Sequence, residues 1–161
     1  MLALLAWAAI GVCLIAAARD AGWRVIDNGL ILLLLGLWAA FATCRPMAWD
    51  QVAAHLAVGI GAFVLMLLAY ACNLMGGGDV KLALPVFLWA GPRCGLPVLL
   101  VVSLAGGGLA LCGLLCDGLL RLPCPRLVSR PLRLLSAKRG VPYGIALACG
   151  GVLAVLSALS S

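Results

Sequence analysis

Five carboxylates are all the acid this sequence has: Asp20, Asp27, Asp50, Asp79 and Asp117, with no Glu. Any acid–base chemistry by carboxylates must draw on this set. Asp20 closes the first apolar run. Asp79 follows Gly76, Gly77 and Gly78, just ahead of a later apolar run. A carboxylate at the edge of hydrocarbon is costly to ionise, which makes it a functional-site candidate by default. Two such acids brought together resist simultaneous ionisation and can share one proton. The ionised member can then take a proton from water while the protonated member polarises a peptide carbonyl. The glycines before Asp79 remove side-chain bulk, so an extended peptide can come close to the backbone there. The same glycines are also ordinary loop punctuation.

The remaining polar residues read more simply. Asp27-Asn28 precedes an apolar run and suits a helix N-cap. Asp27 is nevertheless the one serious rival to Asp20 as an active acid. Asp50 stands in a different loop, and Asp117 has Arg121 at i+4, the spacing of a helical ion pair. His55 has no second His, so a packed or interhelically bonded imidazole is expected. Arg24 and Lys81 flank Asp20 and Asp79, and Lys81 either turns toward Asp79 or faces headgroups. Asn73 is placed to bond across helices. The eight cysteines include no CxxC pair, so neither a metal nor a cofactor is expected. Cys112 and Cys116 share one helix face, and Cys44 and Cys94 fall in loops of one side, where a disulfide is conceivable.

These residues need elements to hold them, and the composition says which. Of the 161 residues, 66% are hydrophobic and 10% charged, whereas a soluble domain carries roughly 25% charged residues. That excludes a water-soluble globule and a disordered chain, and points to lipid as solvent. The apolar runs are 2–18, 29–43, 52–75, 82–90, 96–120 and 141–159. The expected fold is an all-α polytopic transmembrane bundle of about six spans. It forms a single membrane-embedded domain over 1–161, with no room for a soluble one. The fourth run is short and carries Pro85, so it either starts near Asp79 or is a broken helix. The first run lacks a basic lead segment, so a cleaved signal peptide is not expected.

Lys and Arg set the orientation. Loops after the first, third and fifth runs carry Arg19, Arg24, Lys81, Arg121, Arg126, Arg130, Arg133, Lys138 and Arg139; the other two carry Arg45 and Arg93. This places the odd loops in the cytosol and both termini outside. Asp20, Asp27 and Asp79 then share the cytosolic face, and Asp50 lies opposite. The net charge of +6 serves orientation and contact with anionic headgroups, with no nucleic-acid partner required.

Three separated segments also resemble a known family. Gly76-Gly77-Gly78-Asp79 matches the GxGD motif of membrane-embedded aspartic proteases. Asp20, Arg24, Ile26 and Asn28 match the pattern D-x3-R-x-I-P-N around the first catalytic Asp of type IV prepilin peptidases, with Asp27 in place of the Pro. Val141-Pro142-Tyr143-Gly144-Ile145-Ala146 resembles the I-P-Y-G-V-A start of that family's last helix. The chain is most similar to the short, six-span branch that processes Flp-type (tight-adherence) pilins. It lacks the CxxC module and longer loop associated with N-methylation. The resemblance implies a bacterial inner-membrane aspartic endopeptidase without methyltransferase activity. Its substrate would be a prepilin whose hydrophobic helix lies in the bilayer, cut at the cytosolic face. Asp20 and Asp79 would be the catalytic pair, with Gly76, Gly77, Gly78, Asn28, Arg24 and Lys81 shaping the site. The resemblance leaves the oligomeric state open.

Two other readings use the same residues. In a small proton- or cation-coupled transporter, Asp20 and Asp79 would carry the ion. In a non-catalytic assembly subunit, neither aspartate would matter. The scarcity of polar residues in the second, fourth and sixth runs argues against a transport path.

Overall fold

The computed structural model describes residues 1–73, 75–119 and 143–160. Every described element is helical: α1 (Leu2–Trp23), α2 (Asn28–Cys44), α3 (Trp49–Ala71), α4 (Gly77–Leu119) and α5 (Tyr143–Ser160). A helix satisfies its backbone groups internally, which is what an apolar sequence in lipid must do. Four of these helices, α1, α3, α4 and α5, are long and apolar enough to cross a membrane, and α2 has 17 residues. The protein is a multi-pass helical membrane bundle. The basic segment 121–140 and its expected ion pair from Arg121 to Asp117 lie outside the described residues.

The fourth and fifth runs are two helical arms, as expected; they lie within α4 and meet at Gly91, where the backbone is non-helical, φ 59° and ψ −171°. The first arm begins at Gly77, in keeping with the expected start near Asp79, so Asp79 sits in its first turn. Packing shows that the chain turns back on itself there. A Cβ on Gly150 of α5 would lie 3.1 Å from Val98, and one on Gly151 would lie 3.4 Å from Val86. Val86 and Val98 would be about 18 Å apart along a straight helix. They reach adjacent residues of α5 only if the arms 77–90 and 92–119 run antiparallel.

His55 makes that reversal possible. Pro92 has no N–H, so the carbonyl of Leu88, four residues earlier, loses its helical donor. His55 Nδ1 donates to it at 2.7 Å from α3. The interhelical role expected for His55 is what the structure shows. A Cβ on Gly91 would fall 2.3 Å from the His55 ring, and φ there is left-handed, so only glycine fits.

The core runs between α1, α5 and both arms of α4, centred on Cys13, Val86, Trp89, Val98, Leu147 and Val155. Trp89 is buried and donates its Nε1–H to the Leu34 carbonyl of α2 at 3.3 Å. Small residues set the close approaches, as expected for helices packed in lipid. Gly59 of α3 faces Leu84 and Leu88, and Gly151 of α5 faces Cys13 of α1. Cys44 and Cys94 are both free thiols, so the conceivable disulfide does not form. Cys116 is buried and Cys112 exposed.

Candidate functional site

Helix α1 runs five residues beyond the first apolar run, to Trp23. Asp20 is therefore inside its last turn. Arg24 stops the helix in a left-handed conformation, φ 57°, and returns its N–H to the Asp20 carbonyl at 3.1 Å. The chain then crosses to α2, where Asp27 accepts from the Gly29 N–H at 3.1 Å as N-cap. Its other oxygen takes Arg19 at 3.1 Å, with both side chains about half exposed. Asp27 thus serves at the surface as helix cap and ion-pair partner, whereas Asp20 is buried. Asn28 receives the Lys81 ammonium at 3.3 Å. Lys81 is exposed and aimed at Asn28, which decides its direction.

Asp79 is positioned by the turn that opens α4. The Gly76 carbonyl accepts from the Asp79 N–H at 3.1 Å, and the Gly76 N–H donates back to Asp79 Oδ2 at 3.3 Å. This reciprocal pair fixes the carboxylate at the helix N-terminus, where the backbone dipole favours an acid. The glycine run has distinct surroundings at each position. Gly76 lies against Asp79 itself, Gly77 against the Tyr70 ring and Gly78 against Ile26. Gly76 and Gly77 stay exposed, so the backbone beside Asp79 is open to an incoming chain. Asn73, expected to bond across helices, is instead exposed and left-handed, φ 58°, in the turn after α3.

Asp20 and Asp79 are the buried charged residues among those described, 5% and 6% exposed. They converge on the start of α5. The Gly144 N–H donates to Asp20 Oδ2 at 2.9 Å. The same amide acts on Asp79, as do the charges of Asp20 and Arg24. One helix N-terminus thus stands against both carboxylates, with one guanidinium within electrostatic reach of each. A Cβ on Gly144 would lie 2.8 Å from Asp20 Cβ, Cγ and Oδ2. The next residue back is seated the same way, since Gly106 leaves room for the Tyr143 ring at 2.6 Å from a would-be Cβ. Asp50 is far from this group, near the opposite end of the bundle, in the first turn of α3.

Sequence reasoning brought Asp20, Asp79, Arg24, Asn28, Lys81 and the glycines to one region, and the structure places them there. It missed Gly144 as the residue that touches Asp20. The signal was present: a Tyr-Gly pair heads the last run, and a Gly triplet sits in the fifth.

The family-level comparison fits this geometry. A family model described as the type IV leader peptidase family matches residues 7–111, well over half of the chain and including both buried aspartates. The chain belongs to the type IV leader peptidase family. Searches of curated proteins and of solved structures find no match. Membership makes this a membrane peptidase, and the matched segment carries α1, α2, α3 and most of α4. The α5 residue that holds Asp20 lies beyond it. Among the described residues no cluster of His, Cys, Asp or Glu is arranged to hold a metal.

Proposed function

We propose that this member of the leader peptidase family is an aspartic endopeptidase that removes the leader from Flp-type prepilins. The observation that carries the proposal is the pairing of its two buried acids, Asp20 and Asp79, at one Gly144 amide. One carboxylate would take a proton from a water molecule. The other, protonated, would donate to the scissile carbonyl oxygen. Collapse of the tetrahedral adduct would return a proton to the leaving amine, with the two acids exchanging roles. The water supplies both the hydroxyl of the new carboxyl group and the proton on the new amine. Arg24 would limit the negative charge that gathers at the pair.

The exposed backbone at Gly76 and Gly77 supports entry of an extended leader segment beside Asp79. The substrate's hydrophobic helix would stay in the bilayer against the bundle. Counting the two arms of α4 separately gives about six passes, of which the arm 77–90 is the shortest. With the Lys and Arg bias, the acid pair then faces the cytosol of a bacterial inner membrane and both termini face outward. A chain of this plan, with no CxxC pair, would cleave without methylating the new amino terminus. Co-expression with a prepilin tests the proposal: the wild-type chain shortens the substrate, and a chain that inserts normally but never cleaves any prepilin would refute it.

A further inference from the structure

The head of α4 is walled unevenly. Successive residues of a helix point about 100° apart around its axis, so Gly77, Gly78 and Asp79 face three directions. A Cβ on Gly77 would meet the Tyr70 ring of α3 at 3.5 Å, and one on Gly78 would meet Ile26 at 3.4 Å. Asp79 faces Asp20 and the head of α5. One arc of about 160° is left, running from Asp79 round to Tyr70. Gly76 points into it, and among the described residues a Cβ there would meet only the carboxylate of Asp79 itself, at 3.1 Å. Val80, one turn beyond Gly76 in the same arc, is buried, so the opening is confined to the glycine turn. A chain that reaches Asp79 from this side must therefore cross the edge of the Tyr70 ring.

We propose that Tyr70 is a substrate-contacting residue, whose ring seats an apolar side chain next to the scissile bond and holds the substrate backbone over Gly76 and Gly77. The inference rests on the peptidase reading of the acid pair. Three observations carry it. First, Tyr70 is 48% exposed although one edge of its ring lies against Gly77, so the rest of the ring is presented outward beside the open glycines. Second, its backbone is fixed, since its carbonyl accepts from the Asn73 N–H at 2.9 Å in the turn that ends α3. Third, two nearby cations are engaged elsewhere: Lys81 is turned to Asn28, and Arg19 is paired with Asp27. The wall that the opening presents beside Asp79 is therefore aromatic. A flat ring beside a glycine floor takes an apolar side chain at low cost, whereas a charged one would lose water there without a partner. A tyrosine at a membrane interface can also serve as a general anchor. That role would leave KM untouched, and the experiment separates the two.

The test is steady-state cleavage, by the purified full chain in detergent, of a Flp-type prepilin that the wild type processes, with unfolding temperature measured alongside. Tyr70→Ala should raise KM about tenfold, the scale of one lost aromatic contact, and leave kcat within about twofold of wild type. Tyr70→Phe keeps the ring and should match wild type. Tyr70→Leu keeps apolar bulk against Gly77 and serves if the alanine chain does not fold; it should raise KM about threefold. Versions of the prepilin in which each apolar side chain near the scissile bond is cut back in turn to Ala locate the contact. With one of them the rise caused by Tyr70→Ala should vanish, as it does for two partners of a single contact. An unchanged KM in Tyr70→Ala or Tyr70→Leu, a Tyr70→Phe chain as impaired as the alanine one, or a rise in KM that persists in full with every substrate overturns the proposal. A wild-type chain that cleaves no prepilin fails the peptidase reading instead, so the two failures are distinct.

Discussion

Replacing Gly144 with Ala adds one methyl group at the point where α5 meets Asp20. The new Cβ would stand 2.8 Å from three atoms of the Asp20 side chain, whereas ordinary contact begins near 3.4 Å. The carboxylate or the head of α5 must therefore yield by about 0.6 Å, and the 2.9 Å bond from the Gly144 amide must lengthen or tilt. A misplacement of about 1 Å at a reacting group costs on the order of 10²-fold. A shift of this size should lower kcat by roughly 30- to 100-fold, or about 2–3 kcal/mol in the barrier. KM should change little, because the methyl group touches the acid and not the open backbone at Gly76 and Gly77. The assay is cleavage of a purified prepilin in detergent, with substrate concentration varied and unfolding temperature measured alongside. Gly36→Ala is the matched control: its Cβ meets nothing within 4 Å, so it should cleave at the wild-type rate. Wild-type kcat in Gly144→Ala, with Asp20 still required, would show that the contact does not position the acid.

Three further outcomes separate structural residues from reacting ones. Asp27→Ala removes an N-cap and should cost about 1 kcal/mol of stability in an unfolding measurement while cleavage persists; loss of cleavage at normal stability would restore Asp27 as an active acid. His55→Ala leaves the Leu88 carbonyl without its donor and should destabilise the chain by about 1–3 kcal/mol, lowering its unfolding temperature with kcat per folded molecule unchanged. Lys81→Met breaks the 3.3 Å bond to Asn28 at an exposed site, so a fall in kcat below about twofold is expected in the same cleavage assay.

Much of this was legible in the sequence because lipid imposes so few solutions. A chain with so little charge has few places to put an acid, and the glycines before Asp79 marked one of them. The cap at Asp27 followed from residue type and position alone. What the sequence did not show was tertiary. The fourth and fifth runs read as separate spans because Gly91-Pro92 looked like a loop. The structure keeps them as two arms and reverses the chain between them; what the sequence hid is that a histidine from another helix supplies the hydrogen bond that Pro92 cannot. The contact of Gly144 with Asp20 was hidden for a similar reason. A glycine in an apolar run is ordinary until the atom facing it is known, and here that atom belongs to a residue 124 positions earlier. The basic segment 121–140 remains a matter of sequence alone.

The central claim is that Asp20 and Asp79 together perform the hydrolysis. The most direct measurement is prepilin cleavage by Asp20→Asn and Asp79→Asn, each purified as a folded chain and compared with wild type. Each amide substitution removes a group that can gain and lose a proton while keeping its shape and most of its hydrogen bonds. The account predicts that both variants insert, fold and bind substrate, and that neither produces detectable cleaved pilin. Cleavage at the wild-type rate by either variant would contradict it, and ion flux through wild-type liposomes without peptide cleavage would assign the same two acids to transport.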